Sequence, residues 1–222
     1  MKIYEVDDFE KPFYIQDFKN EDHLIIALSS YGQKYEWFGK IRDLESEYKF
    51  SKLWVRDLAS AYWHGNYPVL GDGPFVLAEF LKDKIQESKT KKVMMMGLSM
   101  GGYGAIMFGC LCNVDLVLSF SGQTYLPADR RKKYNLDEKW EGLDINRKYT
   151  DLKNIFHEFN EHNKTLYQLF FGIDNITDSN FAFHLDGQRG VVLNPVKTHK
   201  HNTVRRAFKS GVAPEMIKEF LK

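Results

Sequence analysis

With 222 residues, 43% of them hydrophobic, the chain is long enough to bury a sizeable core. A formal net charge of +1 gives no electrostatic case for nucleic acid or an anionic membrane surface. The two cysteines, Cys110 and Cys112, lie too close along one helical stretch to pair, which reads as a reduced, cytoplasmic protein.

The first residues, MKIYEVDDFEKPF, are acidic without an apolar core and read as no signal peptide; no apolar run reaches the length of a membrane span. From there, strand-like apolar runs alternate with helical patterns. HLIIALSSYG (23–32) reads as a buried strand ending in a Ser-Ser-Tyr-Gly loop, and SKLWVRDLA (51–59) as a second. A helix is expected over 74–88, a third strand over 91–99, a helix over 100–112 and a fourth strand over 114–122. Residues 123–149 carry no strong period and read as a small cap or excursion. A helix over 150–162, a strand over 165–174, a helix over 179–186, a strand over 189–196 and a helix over 202–221 complete the pattern. Continuous apolar strands alternating with helices predict one α/β domain over 1–222, with a mostly parallel sheet of about six strands covered on both faces. In such a sheet ligands bind beyond the carboxyl ends of the strands. The candidate positions are therefore 29–32, 56–64, 99, 121–125, 174–178 and 199–202.

The densest signal is VMMMGLSMGGYGAIMFG (93–109). GLSMG fits G-x-S-x-G, with a strand leading in and a helix leading out, the context that gives this motif its meaning. Glycine at 97 and 101 removes side chains that would collide with the neighbouring strand and helix. The hydroxyl of Ser99 is then held above the sheet at a helix N-terminus, which favours developing negative charge. Neither a P-loop nor G-x-G-x-x-G can be placed on this glycine cluster. The competing reading is a small-residue packing site with an incidental serine.

A serine nucleophile needs a base, and the base an orienting acid. Of seven histidines, His23 opens a strand at the wrong end of the sheet, and His157 and His162 read as surface residues. His199 and His201 follow the last strand. His201 is preferred because it directly precedes Asn202 and Thr203, candidate caps of the final helix. For the acid, Asp174 leaves the fifth strand directly, whereas Asp178 stands one helical turn later, where it could instead cap a helix. Both stay open. In RDLASAYWHGNY (56–67), the arginine could hold a carboxylate or orient the loop through Asp57, and the aromatics could face a sugar or acyl group. Alternatively they form a structural pair with aromatics packed beneath a loop. RRKK (130–133) reads as a solvated basic face.

From His23 to the C-terminus the sequence resembles a compact α/β hydrolase. More narrowly, it is similar to hydrolase-like proteins of bacterial surface-polysaccharide and glycan systems. That subgroup shows an Arg-Asp pair, an aromatic cluster, G-x-S-M-G-G-[FY]-x-A, an aspartate before a helix, and a closing His-Asn. The matching residues are Arg56 and Asp57, then Tyr62, Trp63, His64 and Gly65, then Ser99 within GLSMGGYGA, Asp178, and His201 with Asn202. The resemblance implies a serine hydrolase acting on a small ester or an acylated carbohydrate, with Arg56, Trp63 and His64 as candidate substrate contacts. The alternatives are an acyltransferase with the same triad, or a binding or assembly component of a glycan system with little turnover. No metal or organic cofactor is called for. Two departures stand out. SSYGQ replaces the usual His-Gly oxyanion motif, so the donors are expected to be the N–H of Met100 and that of Ser30 or Tyr31. SGQTYL after the fourth strand stands where the subgroup often has a proline.

Overall fold

A computed structural model describes residues 13–35, 38–67 and 69–222; the leader reading falls on residues 1–13, nearly all outside the described ones. The strands are β1 (Tyr14–Asp17), β2 (His23–Leu28), β3 (Ser51–Val55), β4 (Asn66–Tyr67), β5 (Gly71–Asp72), β6 (Lys92–Leu98), β7 (Leu116–Phe120), β8 (Leu166–Gly172) and β9 (Val191–Val196). The helices are α1 (Phe38–Leu44), α2 (Gly73–Ser88), α3 (Met100–Cys112), α4 (Ala128–Lys133), α5 (Leu136–Lys139), α6 (Leu152–Phe159), α7 (Ile176–His184), α8 (Val204–Lys209) and α9 (Val212–Phe220), with a 3-10 turn at Arg147–Thr150.

Among the described residues seven strands form the central sheet in the order β1-β3-β2-β6-β7-β8-β9, while β4 and β5 pair separately. The six expected strands are all present and parallel. The seventh, β1, lines the edge antiparallel to β3, with Tyr14 opposite Val55. Its sequence YIQD lacks the continuous apolar run of a central strand, because an edge strand is not covered on all sides.

Alternation along each strand divides the core in two. Leu24, Ile26 and Leu28 of β2, with Val93 and Met95 of β6, pack with α2, α3 and α6 through Leu77, Leu81, Ile106 and Ile155. Ile25, Ala27, Met94 and Met96 point the other way, toward Ile41 and Leu44 of α1 and toward Val204, Ala207, Ile217 and Phe220 of α8 and α9. Both faces of the sheet are thus covered by helices, as continuous apolar strands require. The final helix expected over 202–221 is two, because Gly211, at φ 84°, turns the chain between α8 and α9. Among the described residues no helix is long and apolar enough to cross a membrane.

The segment over 123–149 holds α4 and α5 and packs across the loops after β2 and β3. Trp140 Nε1 donates to Ala61 O at 2.9 Å, and Lys139 Nζ donates to Ser60 O at 3.0 Å. The Tyr134 ring lies 4.9 Å from that of Tyr31 and 5.3 Å from that of Tyr62.

Candidate active site

The site lies at the carboxyl ends of β6, β8 and β9. Ser99 follows Leu98, the last residue of β6, with φ 55° and ψ −116°, and Met100 begins α3. This sharp turn demands close backbone approach. A Cβ on Gly97 would sit 2.0 Å from the Gly101 carbonyl oxygen, and one on Gly101 would sit 2.4 Å from the Leu28 carbonyl oxygen. Glycine at both positions is a steric necessity of the turn, and the strained backbone at Ser99 aims its side chain away from the sheet.

His201 leaves the loop after β9, and its Nε2 lies 2.9 Å from Ser99 Oγ. Its Nδ1 lies 2.8 Å from Asp178 Oδ1. A carboxylate only accepts, so Nδ1 carries the ring proton and donates it to Asp178; in the neutral ring Nε2 then accepts the Ser99 hydroxyl. The aspartate side chain is 2% exposed and the histidine 43%, so the acid is fixed inside while the base faces the opening. Asp178 is free for this contact because Asn175, not Asp178, caps α7: the Asn175 side chain accepts from the Asp178 N–H at 3.2 Å. Asp174 and His199 are exposed; the His199 carbonyl accepts from Asn175 Nδ2 at 3.2 Å.

The candidate backbone donors lie on two elements. The Met100 N–H opens α3, where the first-turn amides have no acceptor within the helix. In the loop after β2, the Ser30 N–H is occupied by the Lys34 carbonyl at 2.8 Å. Of the two candidates there, the Tyr31 N–H is the one left without an acceptor among the described residues.

Trp63 and His64 are packed inward against α3 rather than facing the site. Trp63 and His64 are 0% exposed, so neither presents a face to a ligand. Trp63 Nε1 donates to the Met100 carbonyl at 2.8 Å, which braces the first turn of α3. His64 Nε2 donates to Tyr103 Oη at 2.8 Å, and Tyr103 passes its own proton to the Tyr149 carbonyl at 3.1 Å. Burial pushes the His64 ring down to about 3, so it stays neutral. Arg56 is buried, its guanidinium 5.7 Å from the centre of the Tyr35 ring. Burial also pushes the Asp57 carboxyl up to about 6, against the backbone N–H groups of Trp63, Ala61 and Ala59 that donate to it. Trp63 and His64 are thus packed beneath the loop over 56–67.

One residue at the site was not singled out by its sequence. Gln123, just past β7, is 1% exposed and its Nε2 donates to Ser99 Oγ at 3.3 Å. The strand-end rule covers its position, but nothing in SGQTYL marks glutamine over its neighbours.

No family model matches the sequence, and no curated protein does. Solved structures match the fold. The capsule O-acetyltransferase of Neisseria meningitidis serogroup A superposes with a TM-score of 0.67 at 18% identity, covering 92% of this chain and 90% of that one. The Glycosylation Associate Protein (Gap123) complex of Streptococcus agalactiae gives 0.63 at 12% identity, covering 93% of this chain. This chain spans 43% of that one, less than half its length. A lipase-esterase related protein of Clostridium acetobutylicum gives 0.58 at 16% identity, with 93% and 98% covered. At these identities the likeness is one of fold, and that fold is α/β-hydrolase-like.

Proposed function

We propose that this chain is a serine hydrolase of the esterase or deacylase type, with an acylated carbohydrate as its favoured substrate class. The observation that carries this reading is the unbroken chain Ser99 Oγ, His201 and Asp178 at 2.9 and 2.8 Å, set where a helix begins. Ser99 Oγ attacks the acyl carbon as its proton passes to His201 Nε2, and Asp178 steadies the imidazolium. The oxyanion is received by the N–H groups of Met100 and Tyr31. His201 then protonates the departing alcohol, leaving an acyl-Ser99 ester that water, activated by the same histidine, hydrolyses.

The carbohydrate preference rests on fold neighbours whose names concern glycosylation and a capsule. The likeness to a capsule O-acetyltransferase also favours a second reading, in which a sugar hydroxyl rather than water accepts the acyl group. Fluorophosphonate labelling with peptide mapping tests the nucleophile without a known substrate, because only an activated serine reacts quickly. Label on Ser99, abolished in Ser99→Ala, is expected; label elsewhere, or none on folded protein, overturns the proposal. Product analysis with a labelled acyl donor and a sugar acceptor then separates hydrolysis from transfer.

A further inference from the structure

Ser99 receives a hydrogen bond that a triad does not require. Gln123 Nε2 donates to Ser99 Oγ, while the other end of the same amide, Oε1, is buried with no hydrogen-bond partner among the described residues. An orphaned buried carbonyl costs stability, and methionine would fill similar space without that cost. The orientation of the amide follows from its surroundings. Turned over, Oε1 would face Ser99 Oγ and compete with His201 Nε2 for the one hydroxyl proton. In the orientation observed, each group has one role. Gln123 Nε2–H donates to Oγ, Oγ–H donates to His201 Nε2, and Nδ1–H donates to Asp178.

We infer that Gln123 is a catalytic residue whose amide stabilises the Ser99 oxygen as a leaving group, hastening release of the acyl group more than its capture. The inference rests on Ser99 being the nucleophile. During capture, Oγ spends a lone pair on the acyl carbon, and a donor on that oxygen gives the attack no help. During release, water or an acceptor hydroxyl has added to the acyl carbon and given its proton to His201. The carbon–Oγ bond then breaks, its electron pair moves onto Oγ, and His201 returns the proton to that atom. Negative charge grows on Oγ at this step, where the Gln123 N–H already points. The hydrogen bond strengthens between the acyl-Ser99 ester, whose Oγ is a poor acceptor, and this transition state, whereas the free hydroxyl already accepts it before attack, so release gains more than capture.

The test is stopped-flow kinetics with p-nitrophenyl acetate on the full chain, comparing wild type with Gln123→Met. Deacylation should slow by about tenfold or more, with the nitrophenolate burst changed far less and acetyl-Ser99 accumulating by intact mass. The melting temperature should hold or rise, because the orphaned carbonyl is gone. A purely structural glutamine predicts the reverse: a lower melting temperature with both steps slowed alike. Should Gln123→Met not fold, Gln123→Leu reads the same step, since its side chain offers Oγ neither a donor nor a competing acceptor. Unchanged deacylation, or equal slowing of both steps, overturns the inference. Wild-type labelling by fluorophosphonate separates the two failures. Normal labelling of Ser99 with unaffected deacylation removes the role of Gln123 only, whereas absent labelling removes the nucleophile and this role with it.

Discussion

Asp178 Oδ1 lies 2.8 Å from His201 Nδ1, although the two residues leave the sheet from different strands and stand 23 apart in sequence. The contact exists because β8 and β9 are parallel neighbours, which brings both carboxyl-end loops to one edge. The buried carboxylate holds the ring so that Nε2 faces Ser99. Asp178→Asn should therefore lower turnover about a thousandfold or more, through loss of the charge and of the tautomer it selects. Asp174→Asn should remain within a few-fold of wild type, because Asp174 points to solvent and Asn175 caps α7. Steady-state kinetics on one activated ester decides between them.

His201→Ala should cost about 10^4-fold or more in kcat/KM, the scale on which removal of one member of a cooperating set disables the whole. His199→Ala should change the rate little, since its ring is exposed and only its backbone carbonyl is used. A reversal of these two effects would move the base along the loop after β9 and break the Ser99 contact from the mechanism.

Gly104→Ala should destabilise the fold by about 1–3 kcal/mol, as overpacking in a tight interior does. Its Cβ would meet Trp63 Nε1 at 2.5 Å. The indole cannot retreat without losing the 2.8 Å bond to the Met100 carbonyl. The same displacement disturbs the Met100 amide, so activity should fall alongside the urea midpoint. Unchanged stability would show that Trp63 is not braced as described.

The buried, neutral His64 sets an acid sensitivity. Its folded value of about 3 lies below the unfolded value of 6.5. The unfolded chain thus binds a proton that the folded one refuses, and stability is full above pH 6.5 and lost as the pH falls toward 3. The slope from this group is up to about 1.4 kcal/mol per pH unit. His64→Gln retains an N–H donor for Tyr103 Oη without titrating, so its denaturation profile should be flatter between pH 6 and 4. Parallel profiles for variant and wild type would remove His64 as the cause.

What the sequence determined by itself is what neighbouring residues settle among themselves. Apolar runs alternating with helical periods define a parallel sheet covered on both faces, and Gly97, Ser99 and Gly101 define a strand-turn-helix whose tightest clash, Gly97 against the Gly101 carbonyl, is local. The chain order of serine, aspartate and histidine, each after a strand, was legible for the same reason, since parallel strands send their carboxyl-end loops to one edge. Tertiary structure decided what depends on distance across that edge. Asp178 rather than Asp174 meets His201 Nδ1, with Asn175 taking the cap, and the Lys34 carbonyl occupies the Ser30 amide. Trp63 and His64 match a site pattern in sequence but point inward, because α3 offers the Met100 carbonyl and Tyr103 Oη beneath the loop. Gln123 reaches Ser99 only because β6 and β7 are adjacent, with Ser99 donating its own N–H to the Phe120 carbonyl at 2.8 Å. A hydrogen bond between residues far apart in the chain is decided by register and burial, and neither is written in any local pattern.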